Sequence, residues 1–71
     1  MTVYEIRIHS LLDPAWQETF GVDTFELDEE AGETRLRSTL DQAQLQGILN
    51  RIHALGLKLI AVKIIDSKLT T

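Results

Sequence analysis

One segment of this 71-residue chain has the apolar periodicity of a long helix, and it constrains the fold more than any other feature. Apolar side chains at helical spacing form a single stripe, made of Leu45, Ile48, Leu49, Ile52 and Leu55. Asp41 followed by Gln44 has the form of a capping box, and Gly56 is well placed for a left-handed C-terminal stop. The sequence therefore predicts one long amphipathic helix over residues 41–55.

The remaining segments mostly have the period of strands. Residues 3–10, 23–28 and 34–40 alternate in side-chain character, which is typical of half-buried strands. Residues 57–66 are nearly all apolar, which predicts a strand buried on both faces. The polar segment 29–33 contains a glycine and predicts a hairpin connection between the second and third strands.

A short helix is predicted between the first two strands. Asp13 is a suitable N-cap and Pro14 suits the first helical position, where no N–H is needed. Trp16 and Phe20 fall on one face of this helix, and Gly21 can end it. The two aromatic rings have two interpretations: they cap the core on the side that the long helix leaves open, or they form a ligand pocket or a dimer anchor.

These elements together predict an α+β fold of the ferredoxin-like β-α-β-β-α-β type. The expected architecture is a four-stranded antiparallel sheet with one long and one short helix on one face. If the crossovers are right-handed, the strand order is 4-1-3-2. A single domain is expected over residues 1–71, with residues 67–71 as a frayed tail.

Composition excludes several classes of function. The chain has no cysteine, which excludes disulfides, cysteine zinc sites, thiol nucleophiles and iron–sulfur clusters. Seven basic and eleven acidic residues give a net charge of −4, which argues against general nucleic-acid binding. No motif predicts a cofactor or a metal site, and neither a membrane span nor a signal peptide is apparent. We therefore expect a cytoplasmic protein without cofactors.

The negative charge is concentrated in one part of the chain. Six of the eleven acidic residues lie between Asp23 and Glu33, and no basic residue lies among them. This segment predicts an acidic hairpin arm on a mildly basic body. The arm can pair with arginines of its own sheet or with the basic body of a second subunit.

Two stretches resemble a set of short bacterial proteins of unknown function. Residues 4–7 match a Y-E-I-R start, with Asp13 and Trp16 shortly after it. Residues 41–57 match a D-Q-A-x-L-x-G-x-L-x-R-I-x-x-L-G-L core. The resemblance implies a stand-alone small bacterial protein and brings no known activity.

The sheet face away from the helices is expected to carry charged side chains. These are Glu5, Arg7, His9, Glu26, Asp28, Arg35, Arg37 and Lys63. One interpretation is a solvated face held by cross-strand ion pairs, with Arg35 and Arg37 beside Glu26 and Asp28. The other is a site for an anion or an acidic partner, built from the basic residues Arg7, His9, Arg35 and Arg37. No aromatic residue is predicted on this face, which disfavours RNA binding.

The last strand suggests self-association. Its second face, predicted as Leu57, Leu59, Ala61 and Ile65, has no helix of its own to cover it. In the 4-1-3-2 order it is also an edge strand, and a long apolar edge needs a partner. We therefore expect a homodimer formed through this strand, the open sheet face, or both.

Three hypotheses of function follow. The first is a small non-catalytic interaction or regulatory module that forms a homodimer and can also serve a larger protein. The second is a small-ligand-binding or sensing domain with a pocket near Trp16, Phe20 and His9. The third is a small dimeric ferredoxin-like enzyme, although no catalytic residue can be named and the sequence favours a non-enzyme.

Overall fold

The computed structural model of the protein describes residues 2–67. Its elements, in chain order, are β1 Thr2–Ile8, α1 Trp16–Phe20, β2 Thr24–Asp28, β3 Glu33–Leu40, α2 Gln42–Ala54 and β4 Leu59–Ser67. The predicted order of strands and helices is confirmed. The tail expected over residues 67–71 lies, except for Ser67, outside the described residues.

The four strands form one sheet in the order β2-β3-β1-β4, and every neighbouring pair is antiparallel. Counted from the other edge, the order is β4-β1-β3-β2, as expected from the sequence. Together with the two helices found within residues 2–67, this sheet gives an α+β fold. Strands β1 and β3 lie in the centre of the sheet, whereas β2 and β4 lie at its edges.

The core lies between one face of the sheet and the helices. Its buried residues are Ile6, Ile8, Leu12, Phe20, Val22, Leu36, Leu40, Ile48 and Ile52. Pairing of β1 with β3 places Ile6 opposite Leu36. Because side chains alternate along a strand, this register puts the buried apolar residues of both central strands on one face, which the helices cover: Ile6, Ile8, Leu36 and Leu40.

Both predicted ends of the long helix are confirmed. Asp41 Oδ1 accepts a hydrogen bond from the Gln44 backbone N–H at 2.7 Å, and Gln44 Oε1 accepts one from the Asp41 N–H at 2.9 Å. At the other end Gly56 has φ 74°. The Gly56 N–H donates to the His53 carbonyl and the Leu57 N–H to the Ile52 carbonyl, which is a Schellman motif.

The short helix begins later than predicted. Asp13 is not its N-cap: Asp13 Oδ1 accepts from the Ala15 N–H at 2.9 Å, and the Asp13 carbonyl accepts from the Trp16 N–H at 2.9 Å. These bonds close a turn through Pro14, and the helix starts only at Trp16. Gly21, with φ 66°, ends it as predicted. The result is a five-residue helix about 7.5 Å long.

The helix layer is narrower than the sheet. Four strands span about 14 Å between the outer strand axes, whereas one helix is about 10 Å wide. Helix α2 lies closest to β3, and the Arg51 guanidinium in α2 donates to the Thr19 carbonyl of α1. The short helix adds little cover, so the β4 edge of the sheet remains exposed.

The prediction that β4 is buried on both faces is wrong for a single chain. Its large apolar side chains Leu59, Ile60, Val62, Ile64 and Ile65 are 37% to 63% exposed. An apolar run shows that burial would be favourable, but it does not specify which part of the molecule supplies the cover.

Candidate interaction surface

Strand β4 pairs with β1 through two irregular points. Leu59 lies opposite Ile8 and Ala61 opposite Arg7, which leaves Ile60 as an extra residue. A second register shift, between Val3 and Tyr4, leaves Ile65 as an extra residue. Each is a β-bulge, in which the added residue changes the face that the following side chains occupy.

The first bulge separates residues that simple alternation places together. Leu59 pairs with Ile8 on the helix-covered side of the sheet, whereas Ala61 pairs with Arg7 on the open side. Leu57 precedes the strand and packs against the core. The predicted dimer face of Leu57, Leu59, Ala61 and Ile65 is therefore not one surface.

Other residues form the exposed apolar surface of this edge. We define the β4 patch as Leu59, Ile60, Val62, Ile64 and Ile65. Val62 pairs with Ile6 and Ile64 with Tyr4, so both lie with Leu59 on the helix side. Sequence reasoning missed Ile60, Val62 and Ile64, although the adjacent apolar pairs at 59–60 and 64–65 interrupt alternation where the bulges occur.

In the described part of the chain, three ion pairs lie on the open side of the sheet. Arg7 donates from Nε and Nη2 to Glu33 Oε1 at 3.1 and 3.0 Å, and Arg35 Nη2 lies 2.7 Å from Asp28 Oδ2. Arg37 donates from Nε to Glu5 Oε2 at 2.9 Å. We call these six residues the ion-pair face.

The register explains how these pairs are chosen. Two like-charged pairs face each other directly: Arg7 lies opposite Arg35, and Asp28 lies opposite Glu33. The side chains instead bind diagonally, Arg7 to Glu33 and Arg35 to Asp28, so attraction between opposite charges offsets the repulsion. The predicted pairing of Arg35 with Asp28 is present. Arg37 differs from the prediction, because it binds Glu5 of β1 instead of an acid of the hairpin.

These contacts bear on the predicted anion site. Arg7, Arg35 and Arg37 each hold a carboxylate of their own sheet. His9 follows the end of β1 and is exposed, and its backbone N–H donates to the Lys58 carbonyl at 2.8 Å. An external anion would therefore compete with an existing carboxylate at each arginine.

Both aromatic residues of α1 contact the core: Phe20 is one of its buried residues, and Trp16 packs against it. The Trp16 and Phe20 ring centroids are 5.7 Å apart with an interplanar angle of 33°. Phe20 is buried and Trp16 is half-buried. A depression of about 210 Å³ beside Trp16 is lined by Asp13, Ala15 and Thr19, and neither Phe20 nor His9 lines it. Typical small-molecule pockets hold about 300–1,000 Å³.

The acidic hairpin borders a larger depression of about 540 Å³. Its lining residues are Glu26, Leu27, Asp28, Glu29, Glu30 and Arg35. Two acids of the arm, Asp28 and Glu33, bind arginines of their own sheet, which is one of the two alternatives the sequence left open. Among residues 2–67, no group of three or more histidine, aspartate or glutamate side chains is arranged to hold a metal ion.

Comparison with known proteins relates the chain to one family. A family model described as a domain of unknown function, DUF8691, matches residues 3–63. The chain belongs to the DUF8691 family. The DUF8691 match takes in both stretches that resemble uncharacterised bacterial proteins, and it extends into β4 as far as Lys63. Neither a curated protein nor a solved structure gave a significant match to this DUF8691 chain.

The length and hydrophobicity of the two helices bear on membrane insertion. In the part of the DUF8691 chain that the structure describes, neither helix is long and apolar enough to cross a membrane.

Proposed function

We propose that this DUF8691 protein is a small non-catalytic interaction or regulatory module that acts as a homodimer through β4. The observation that carries the proposal is the β4 patch on an edge strand. Five large aliphatic side chains lie there on one edge strand, each more than one third exposed. Long apolar edges are templates for pairing with another chain.

The energetics favour a reversible dimer. Added together, the exposed fractions of the five residues equal about two fully exposed aliphatic side chains per chain. Burying this surface on two chains contributes roughly 6–12 kcal/mol. Association costs an estimated ~4–15 kcal/mol in lost motional freedom. The favourable ends of these two ranges leave about 8 kcal/mol, which corresponds to a Kd near 1 μM, so we expect a dimer that dissociates on dilution into the low micromolar range.

A second part of the proposal concerns the fold family. The element order β-α-β-β-α-β, the strand order and the three antiparallel pairings support a ferredoxin-like assignment. We also retain the cytoplasmic location and bacterial origin expected from the sequence. The ligand-binding hypothesis has weaker support, because the depression beside Trp16 is small and lacks two of its three expected residues.

The proposal is tested by measuring molecular mass at several concentrations. Sedimentation equilibrium from about 1 to 100 μM should show a transition from one chain to two. Ile64→Lys, which places a charge on the most exposed residue of the β4 patch, should keep the protein monomeric. The matched control is Leu27→Lys, a comparably oriented exposed position on the other edge strand, which should leave the transition unchanged. A one-chain mass throughout would overturn the proposal.

A further inference from the structure

We propose that two copies of the chain pair their β4 edges antiparallel about a twofold axis at Val62, which joins the two sheets into one. This inference rests on the proposed homodimer and specifies its register. It commits to a second copy as the occupant of the β4 edge.

The bulges limit where the edges can pair. Between the extra residues Ile60 and Ile65, the backbone pairs regularly with β1 only over residues 61–64. Bulges bend and twist a strand, which hinders pairing of an edge beyond them. The centre of an edge-to-edge contact therefore lies inside this four-residue segment.

Alternation then restricts the axis further. A twofold axis perpendicular to the sheet keeps the helix sides of both copies together, so directly opposed residues must come from the same face. The axis must accordingly pass through a residue paired with its own copy. Only Val62 and Lys63 occupy the middle of the regular segment.

Charge decides between these two positions. An axis at Lys63 places two ammonium groups on the same face in directly opposed positions, which is destabilising. An axis at Val62 opposes two valines on the helix side and sets Lys63 against the small Ala61 of the other copy. It also brings Ile60 next to Ile64 of the other copy, so the two β4 patches merge into one buried apolar strip.

Cysteine cross-linking tests the register directly, since the chain contains no cysteine of its own. A single cysteine at the axis faces its own copy at a distance that a disulfide can span. Under mild oxidation Val62→Cys should form a linked dimer about tenfold faster than Lys63→Cys or Ile64→Cys. Leu27→Cys on the opposite edge is the matched control for random collision. Faster linking by either of the other β4 variants would overturn the register.

A second pair of variants keeps the test decisive if a cysteine at position 62 itself weakens association. Ile60→Cys is mixed with ¹⁵N-labelled Ile64→Cys, and mass spectrometry counts mixed and like-with-like linked dimers. The Val62 axis predicts more mixed dimers than random pairing would give. Mixed and like-with-like dimers in the proportions of random pairing would contradict it. Sedimentation of the unmodified chain separates the two proposals. A two-chain mass with the wrong linkage refutes the register alone, and a one-chain mass refutes the dimer.

Discussion

At the scale of single residues, the ion-pair face combines charges of very different exposure. Glu5 lies on a central strand with its side chain only 7% exposed, while its partner Arg37 is 43% exposed. Asp28, the partner of Arg35, lies on the edge strand β2, and its side chain is 29% exposed. Loss of the partner costs more folding free energy for a buried carboxylate than for an exposed one, because water cannot solvate the buried charge.

This difference predicts unequal effects of removing the two arginines. Arg37→Ala removes the hydrogen-bonding partner of a nearly buried carboxylate and should lower the free energy of unfolding by about 2 kcal/mol. Arg35→Ala, the matched control, should cost less than about 1 kcal/mol because water solvates Asp28. Urea denaturation measures both losses, and equal losses would contradict the importance of burial.

Thr34 holds a loop in place through its side chain, a role that the sequence pattern did not predict. Its buried hydroxyl donates to the Ser10 carbonyl at 2.7 Å and accepts from the Leu12 N–H at 3.0 Å. Through these two hydrogen bonds, the Thr34 side chain anchors the loop between β1 and α1 to the sheet. The available signal was a polar residue on the apolar face of a strand.

Replacing this hydroxyl should destabilise the protein without changing side-chain volume. Thr34→Val leaves two backbone groups unpaired, and the expected loss is about 1–3 kcal/mol of unfolding free energy. Thr39→Val, at an exposed position of the same strand, should change it by less than about 0.5 kcal/mol. Thermal or urea unfolding of the two variants should separate them clearly; a Thr34 variant as stable as its control would show that water replaces the lost contacts.

At the scale of elements, α2 is specified at both ends but carries a glycine within it. Gly47 is exposed, and a Cβ built there meets no atom within 4 Å. The glycine therefore serves no close packing against the sheet. Gly56, by contrast, has φ 74° at the end of the helix, where an L side chain is strained.

The two glycines should respond in opposite ways to alanine. Gly47→Ala should raise the unfolding free energy by up to about 1 kcal/mol, because it removes backbone entropy from the unfolded chain. Gly56→Ala should lower it by a similar amount or more. The measurement is the chemical-denaturation midpoint, and a destabilising Gly47→Ala would indicate a contact of this helix face with another molecule.

At the scale of the whole molecule, the sheet is wider than the helix layer. Helix α1 has only five residues and α2 lies over β3, so β4 projects beyond the cover of the helices. A chain of 71 residues buries a modest fraction of its surface on folding, so burial of further apolar surface would add to its stability. The proposed self-association would supply such burial without additional sequence.

Dimerisation should therefore appear in the stability of the protein. The melting temperature should rise with protein concentration, since association stabilises the folded chain by mass action. Ile64→Lys should remove this dependence, and Leu27→Lys should retain it. Calorimetric scans over a hundredfold range of concentration, about 1–100 μM, measure the effect. A concentration-independent melting temperature for the unmodified chain would argue against the dimer.

Local features account for what could be predicted from the sequence. The α+β class, the order of elements, the capping box at Asp41 and the Gly56 stop all follow from contacts within a few residues of each other. Alternation also placed Thr34, Leu36 and Ser38 on one face of β3, and all three are buried. Such patterns depend on helical and strand periods that any chain must obey.

Contacts between distant segments could not be predicted from local patterns. The choice of Glu5 as the partner of Arg37 depends on which strands become neighbours, and the start of α1 at Trp16 depends on a turn closed by Asp13. The two bulges of β4 determine which apolar residues share a face. The amino-acid sequence was sufficient to show that the last strand is apolar and that covering it would be favourable. The three-dimensional packing decided that this chain leaves it exposed, because five helical residues in α1 cannot cover the width of four strands.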